Sequence, residues 1–257
     1  MSAVSNGFKI LETICAAGND GLPFARVVEQ TRLPKANVHR LLKELVELSA
    51  LSYEPASRHY RGGLTLARLG ANIVSNYDLR KTAQTHLRAL HEETGHVVTL
   101  GILGEDVGIY IDKIEARDFG IRLHSEVGKS FPLHCTGMGK VLLASAPPEL
   151  RQRVLRRKLE ALTDKTITDP RKLRTELKEV REQGYAIDHE EITRGLMCVA
   201  APVFGVAGEV AGAMSCTFPR YLFDERGMDT EIEALLRHAR AASGLPETGL
   251  NQACNKA

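Results

Sequence analysis

LPKANVHRLLKELVELSALSYEPASRHYRGG, residues 33–63, is the stretch that decides the fold. Val38, Leu41, Leu42, Leu45 and Val46 recur at i, i+3, i+4, i+7 and i+8, the stripe of an amphipathic helix. Pro34 opens it, at a position where a missing N–H costs nothing. Its opposite face carries Lys35, Asn37, Arg40 and Lys43. Leu51–Tyr53 and His59–Arg61 then flank the turn Glu54–Arg58, which predicts a short hairpin. Upstream, residues 5–17 predict a helix with Phe8, Leu11, Ile14 and Cys15 on one face and Gly18 as its stop. Pro23–Thr31 predicts a short second helix with Val27 and Val28 inward. Helix, short helix, turn, amphipathic helix and hairpin together spell a winged helix-turn-helix.

The charge pattern agrees with that order. From Arg32 to Lys43 there are four basic residues and no acid, with His39 among them. Arg58, His59 and Arg61 form a second basic group in the hairpin. Yet the whole chain balances 34 basic against 32 acidic side chains, a net charge of +2, which excludes polybasic nucleic-acid-coating proteins. If the apolar stripe packs inward, Lys35, Asn37, His39 and Arg40 are free to meet base edges in a major groove. Lys43, Arg58 and Arg61 are candidates for phosphates. The ordinary alternative for each is a solvated surface charge.

Past Gly62-Gly63 the pattern changes. Leu64 to Tyr77 predicts a linking helix and Leu79 to Thr94 another, with Leu79, Ala83, Leu87 and Leu90 aligned. Strands are expected at Val97–Leu103, Val107–Ile114, Phe119–His124, Tyr185–Asp188, Cys198–Phe204 and Glu209–Thr217. Helices are expected from Thr136 to Ala144, from Pro147-Pro148, from Asp169-Pro170 to Gly184, and from Asp224 to Ala242. The reading is an α+β chain with a winged helix-turn-helix at 1–63, a linker helix at 64–78 and an α/β domain with a mainly antiparallel sheet at 79–244. A flexible tail follows at 245–257. No apolar run is long enough to span a bilayer, so no membrane is expected. The first residues lack a basic segment followed by an unbroken apolar stretch, so no secretory signal is expected and the chain reads as cytoplasmic. Five widely spaced cysteines with no CxxC fit reduced thiols in that compartment.

Several motifs mimic chemistry without carrying it. His91 and His96 in HEETGH stand five apart, so on a helix they point about 140° away from each other, and Gly95 breaks the helix between them. No metal site is expected. Gly128-Lys129-Ser130 lacks the glycine of a phosphate loop at Leu123, and Gly137-Met138-Gly139 lacks a third glycine at Leu142. No cofactor is expected. Cys135 next to His134 is not a dyad, because neighbours in extended chain point to opposite sides. A catalytic Cys135 with a partner such as His189 stays open as the enzyme alternative, and a sensor that does not bind DNA as a third class.

Four segments carry a family resemblance. LPKANVHRLLKEL (33–45) with Tyr60-Arg61-Gly62-Gly63-Leu64, FPLHCTGMGKVLLA (131–144), GYAIDHEEITRGLMCVAAPVF (184–204) and GEVAGAMSCTFP (208–219) resemble, in that order, the IclR family of bacterial transcriptional regulators. The likeness spans about residues 5–243. Two departures stand out. Arg32 occupies the turn position where the family usually has Gly, and Ala36-Asn37 stand where Ser-Thr is common, which bears on the operator sequence. The resemblance implies a homodimer, or a tetramer built as a dimer of dimers, that binds palindromic double-stranded operator DNA. It also implies a GAF-like C-terminal domain for a small effector, and control of a catabolic operon.

The residues suggest where that effector sits. Thr136–Lys140 opens a helix at a glycine-rich turn, whose unpaired N–H groups and dipole favour a carboxylate, and Gly137 and Gly139 allow close approach. Lys140 is an added charge there, unless it points outward or pairs with an acid. Ser215 and Thr217, two apart on a strand, face one side. The resemblance adds Asp188 and Cys198 to these as effector contacts. Leu133, Met138 and Leu196 are apolar wall candidates, with core packing as the alternative. Small hydroxy, keto or sugar acids are the expected class, and aromatic acids the competitor.

Overall fold

The computed structural model describes residues 2–75, 78–116, 125–222 and 227–243. Contacts divide the chain into two compact units, Met1–Asn76 and Tyr77–Ala257.

The first unit holds α1 (Ala3–Ala16), β1 (Leu22–Pro23), α2 (Phe24–Thr31), α3 (Lys35–Glu47), β2 (Leu51–Glu54), β3 (His59–Gly62) and α4 (Leu64–Ser75). Its three strands are antiparallel in the order β1-β3-β2, so the hairpin gains a third, two-residue strand. Val38, Leu41 and Leu42 of α3 are buried with Ile10, Ile14, Val27 and Leu51, while Leu45 and Val46 pack at the edge. The expected face of α1 is corrected. Asn6, Gly7, Ile10 and Ile14 are buried, whereas Phe8 is 64% exposed and Cys15 is exposed. Phe8 lies about 200° round the helix from Ile10, so the two cannot share a face. Arg32 ends α2 in the left-handed region, φ 54° and ψ 28°, its N–H donating to the Val28 carbonyl at 2.9 Å. The turn thus takes the conformation glycine would supply freely, at about 1 kcal/mol or more for an arginine.

The second unit runs α5 (Asp78–Thr94), β4 (Val97–Leu103), β5 (Gly108–Ile114), β6 (Ser130–Phe131), α6 (Gly137–Ser145), α7 (Pro148–Arg156), α8 (Pro170–Gln183), β7 (Ala186–His189), β8 (Leu196–Phe204), β9 (Val210–Pro219) and α9 (Asp229–Ala241). The strands form one antiparallel sheet in the order β6-β5-β4-β9-β8-β7. Because side chains alternate, each strand serves two layers. Met214, Cys216 and Phe218 of β9 pack with Leu87 and Leu90 of α5 and Leu235 of α9. Ala213, of the opposite alternation, packs with Val141 and Leu142 of α6 and Leu173 and Leu177 of α8 on the other face. Ser215 and Thr217 share that second face. Asp169 caps α8 by accepting from the Arg171 N–H, and Gly184 ends it at φ 81°. The last helix runs from Asp229, after Gly227 takes φ 72°, and the start expected at 224 lies outside the described residues. The strand expected at 119–124 and the tail at 245–257 lie outside the described residues.

Candidate functional site

The sheet face beneath α6 is polar where four strands meet. Register places Thr99 opposite Ser215, Cys198 opposite Thr217, and Asp188 opposite Cys198. These side chains therefore stand in rows across β4, β9, β8 and β7. Over them sits the first turn of α6. Thr136 caps that helix by accepting from the Gly139 N–H at 2.9 Å. The N–H groups of Gly137 and Met138 are the ones helix geometry leaves without an intrahelical acceptor. Between the two surfaces is a cavity of about 60 Å³, closed at its edges by Tyr110, Ser125, Ile192, Thr193, Leu196 and Met197.

Of the residues proposed from sequence, Gly137, Met138, Asp188, Leu196, Cys198, Ser215 and Thr217 line this cavity together. Leu133 and Gly139 do not. Leu133 is buried in the α6–α8 core. A Cβ on Gly139 would come within 2.5 Å of the Thr136 hydroxyl and 2.4 Å of the Pro132 carbonyl, so this glycine serves the capped turn rather than a ligand. Gly137 is small for another reason, since a Cβ there would press on Ala200 and Cys198 of β8. Thr99, Tyr110, Ser125, Ile192, Thr193 and Met197 were missed. Thr99 was within reach, as the polar residue on the sheet face shared with Ser215.

The polar groups are mutually engaged. Ser215 and Thr99 share a hydrogen bond of 2.6 Å. Asp188 accepts from the Glu191 N–H at 2.7 Å. Burial pushes the Asp188 carboxyl up to about 7, with the Glu191 carboxylate adding to the rise and the Glu191 N–H opposing it. Burial raises the Cys198 thiol to about 11 and the Tyr110 phenol above its usual range. None of these is a free charge meeting solvent.

Lys140, left open from the sequence, pairs with acids. It is fully buried and turned into the protein. Its ammonium donates to Glu191 at 2.6 Å, to Glu176 at 2.7 Å and to the Ile187 carbonyl. Burial works to lower its pKa, but the two carboxylates outweigh that and the net direction is up. Lys140 therefore ties α6 to α8 and to the 188–191 turn that presents Asp188. Its charge is spent on that frame. Thr163 and Thr166 hold the same turn by donating to the Glu190 and Glu191 carbonyls.

In the first unit the proposed DNA contacts occupy the outward face of α3. Lys35, His39, Arg40 and Lys43 are exposed and Asn37 is half-buried. Arg40 pairs with Glu44 at 2.6 Å and touches Asn37 at 3.3 Å, while Lys43 stands 3.9 Å from Glu47. Exposed pairs of this kind are worth only a few tenths of a kcal/mol, so both cations exchange partners readily. Arg58 is exposed at the hairpin turn with φ 57°. Arg61 is less available. It is half-buried, with its Nε out of solvent and unpartnered among the described residues. The His39 ring leans edge-on toward Phe24, 6.2 Å between centroids.

Residues 3–55 match the family described as IclR helix-turn-helix domain, and residues 71–244 match bacterial transcriptional regulator IclR C-terminal. The chain belongs to the IclR family. The HTH-type transcriptional regulator KdgR of Escherichia coli is 33% identical over 243 residues, covering 94% of this chain and 92% of that protein. The crystal structure of an IclR transcriptional regulator from Alicyclobacillus acidocaldarius superposes with a TM-score of 0.81 at 30% identity, over 94% of this chain and 97% of that one. An IclR homologue from Microbacterium hydrocarbonoxydans, solved with 4-hydroxybenzoate, shares the fold with a TM-score of 0.79 at 23% identity, over 98% and 100%.

This IclR-family chain is a DNA-binding transcriptional regulator with a helix-turn-helix head and an α/β body. Cys135, the basis of the enzyme alternative, is fully buried. Burial, with Asp188 and Glu191 nearby, pushes its thiol up to about 12. A nucleophilic cysteine needs the opposite environment. His91 donates from Nδ1 to the His96 carbonyl, 2.7 Å away, which closes the end of α5. Among the described residues no helix is long and apolar enough to cross a membrane.

Proposed function

We propose that operator binding by this regulator is controlled by a small hydroxylated organic acid, a hydroxy, keto or sugar acid, held in the cavity under α6. The observation that carries this reading is the convergence of Thr99, Ser215, Thr217, Cys198 and Asp188 from four strands on the first turn of α6. The helix turn suits a carboxylate. Hydroxyls opposite it suit a ligand bearing its own hydroxyls, and Asp188 accepts from one of them. The size narrows the class. About 60 Å³ is well under the roughly 150 Å³ of a dry cavity that takes benzene. That favours the shortest hydroxy and keto acids over a sugar acid, and over an aromatic one such as the 4-hydroxybenzoate of the Microbacterium protein.

The DNA side rests on the exposed face of α3. Lys35, Asn37 and Arg40 read bases, with His39 beside them, and Lys43, Arg58 and Arg61 meet phosphates. Exposed apolar side chains on the same unit, Val4 and Phe8 of α1 and Leu64 and Leu69 of α4, support association into a homodimer or dimer of dimers. A twofold dimer reads a palindromic operator with half-sites about one helical turn apart.

Calorimetric titration of small hydroxy, keto and sugar acids, with 4-hydroxybenzoate as the aromatic arm, tests the effector class. One of the polar acids should bind, and Ser215→Ala with Thr217→Ala should weaken it by about tenfold or more, given two lost hydrogen bonds. Unchanged affinity in that variant puts the ligand elsewhere. Preference for the aromatic arm rejects the class.

A further inference from the structure

The second unit carries another concave surface, and its chemistry differs from that of the cavity under α6. Between α7 and α8 lies a cleft of about 520 Å³. On α7 the facing stripe is Pro148, Arg151, Gln152, Leu155 and Arg156, at i, i+3, i+4, i+7 and i+8. On α8 it is Arg174, Leu177 and Arg181. Leucines form the floor and four arginines the walls.

Two of those arginines are held together against their own repulsion. Arg151 and Arg181 both donate to the Ala144 carbonyl, at 2.7 and 3.3 Å. Their nitrogens are thus within about 6 Å of each other, close enough for like charges to repel at a half-buried site. Burial and the Arg181 charge lower the Arg151 pKa, and Glu149 offsets this only in part. Ala144 lies in the last turn of α6, whose dipole favours a cation there. That accounts for one guanidinium, but not for a second, nor for Arg156 and Arg174 on the opposite rim.

The neighbours show what the cleft lacks. On the same helix and just after it, Arg153 and Arg157 both bind Asp106 at 2.6 Å. On α8, Glu176 is engaged by Lys140, and Glu182 by Lys178 at 3.5 Å. Among the described residues, none of Arg151, Arg156, Arg174 and Arg181 has an ion pair. Asp106, Glu176 and Glu182 are engaged elsewhere, Glu149 offsets the Arg151 shift only in part, and four arginines line one open cleft.

We propose that the α7–α8 cleft is a second small-molecule site that takes a compact polyanion, a phosphorylated or polycarboxylate compound with at least two negative charges. Guanidinium forks match phosphate and carboxylate oxygens in pairs, and two walls of them suit a ligand with anionic groups at both ends. The site is separate in its residues from the effector cavity, and it does not depend on which acid that cavity takes.

The test is calorimetric titration of the full chain with pyrophosphate and with citrate, using acetate as the singly charged control. Pyrophosphate or citrate should saturate one site per chain and acetate should not; the better of the two tells phosphate from carboxylate chemistry. Arg156→Gln with Arg174→Gln, both exposed and so tolerated by the fold, should weaken binding about tenfold or more, since charge-assisted hydrogen bonds are lost. Ser215→Ala with Thr217→Ala should leave it unchanged. No saturable binding, or equal binding in the arginine variant, overturns the proposal. So does a wild type that binds neither probe but falls to a smaller oligomer when Arg156 and Arg174 are changed, because the face then meets a second copy of the chain.

Discussion

The two units use charge in opposite ways. On α3, Arg40 and Lys43 stand in water, in loose pairs with Glu44 and Glu47, about half to three-quarters exposed. Under α6, Lys140 is fully buried with Glu191, and Asp188 is closed off beside them. In water a charge is cheap to hold and easy to transfer to a phosphate. In the interior it is expensive, so it persists only where an opposite charge and hydrogen bonds hold it, and those partners fix geometry. The same residue types therefore make an exchangeable charged surface in one unit and a rigid frame for a cavity in the other.

The comparison is broken most directly at Lys140. Replacing it by Met leaves the buried Glu191 and the half-buried Glu176 without their cation, and should destabilise the second unit by about 3–5 kcal/mol in chemical denaturation. A loss below about 1 kcal/mol would mean the network frames nothing.

Asp188 gives the next largest effect and a pH signature. Its folded pKa, about 7, is raised above the unfolded value near 3.8. The folded state therefore holds an extra proton between those values, and its stability falls as pH rises through that window. Asp188→Asn removes the penalty. It should raise stability by about 4 kcal/mol at pH 8, with the gain shrinking toward pH 5 and below. A gain that is the same at pH 5 and pH 8 contradicts the buried, titrating carboxyl.

On α3 the effects should appear in DNA binding and not in folding. Arg40→Ala should cost about 1–3 kcal/mol in operator affinity, most strongly on the cognate sequence, with denaturation shifted by less than about 0.5 kcal/mol. Lys43→Ala should be the mildest, weakening all duplexes alike and lowering the slope of log affinity against log salt by about one. If Lys43→Ala instead changes sequence preference, its assignment to phosphate is wrong.

How much of this was legible in the sequence follows from the range of the interactions. Local signals were read directly: the stripe Val38–Leu41–Leu42, the Thr136 and Asp169 caps, the Gly184 stop, and the alternation that sets Ser215 and Thr217 on one face. Phe8 failed because a 3.6-residue period is ambiguous in phase when apolar residues lie on two sides of a helix. Lys140 stayed undecided because its partners are 36 and 51 residues away in sequence. Ser125, Ile192 and Thr193 reach the cavity from connecting segments, where no periodicity marks a side. Gly139 looked like a ligand approach and proved to be room for the Thr136 cap, a distinction only coordinates make.

Following operator binding while adding acid tests the central claim most directly. The duplex from the chain's own upstream region is titrated with wild type and with the Ser215→Ala, Thr217→Ala variant, each across a range of the acid found by calorimetry. The account predicts equal operator affinity without acid, and a midpoint for the acid's effect shifted by about tenfold or more in the variant. An acid that changes operator binding equally in both proteins, or binds the wild type without changing it, contradicts control through this cavity.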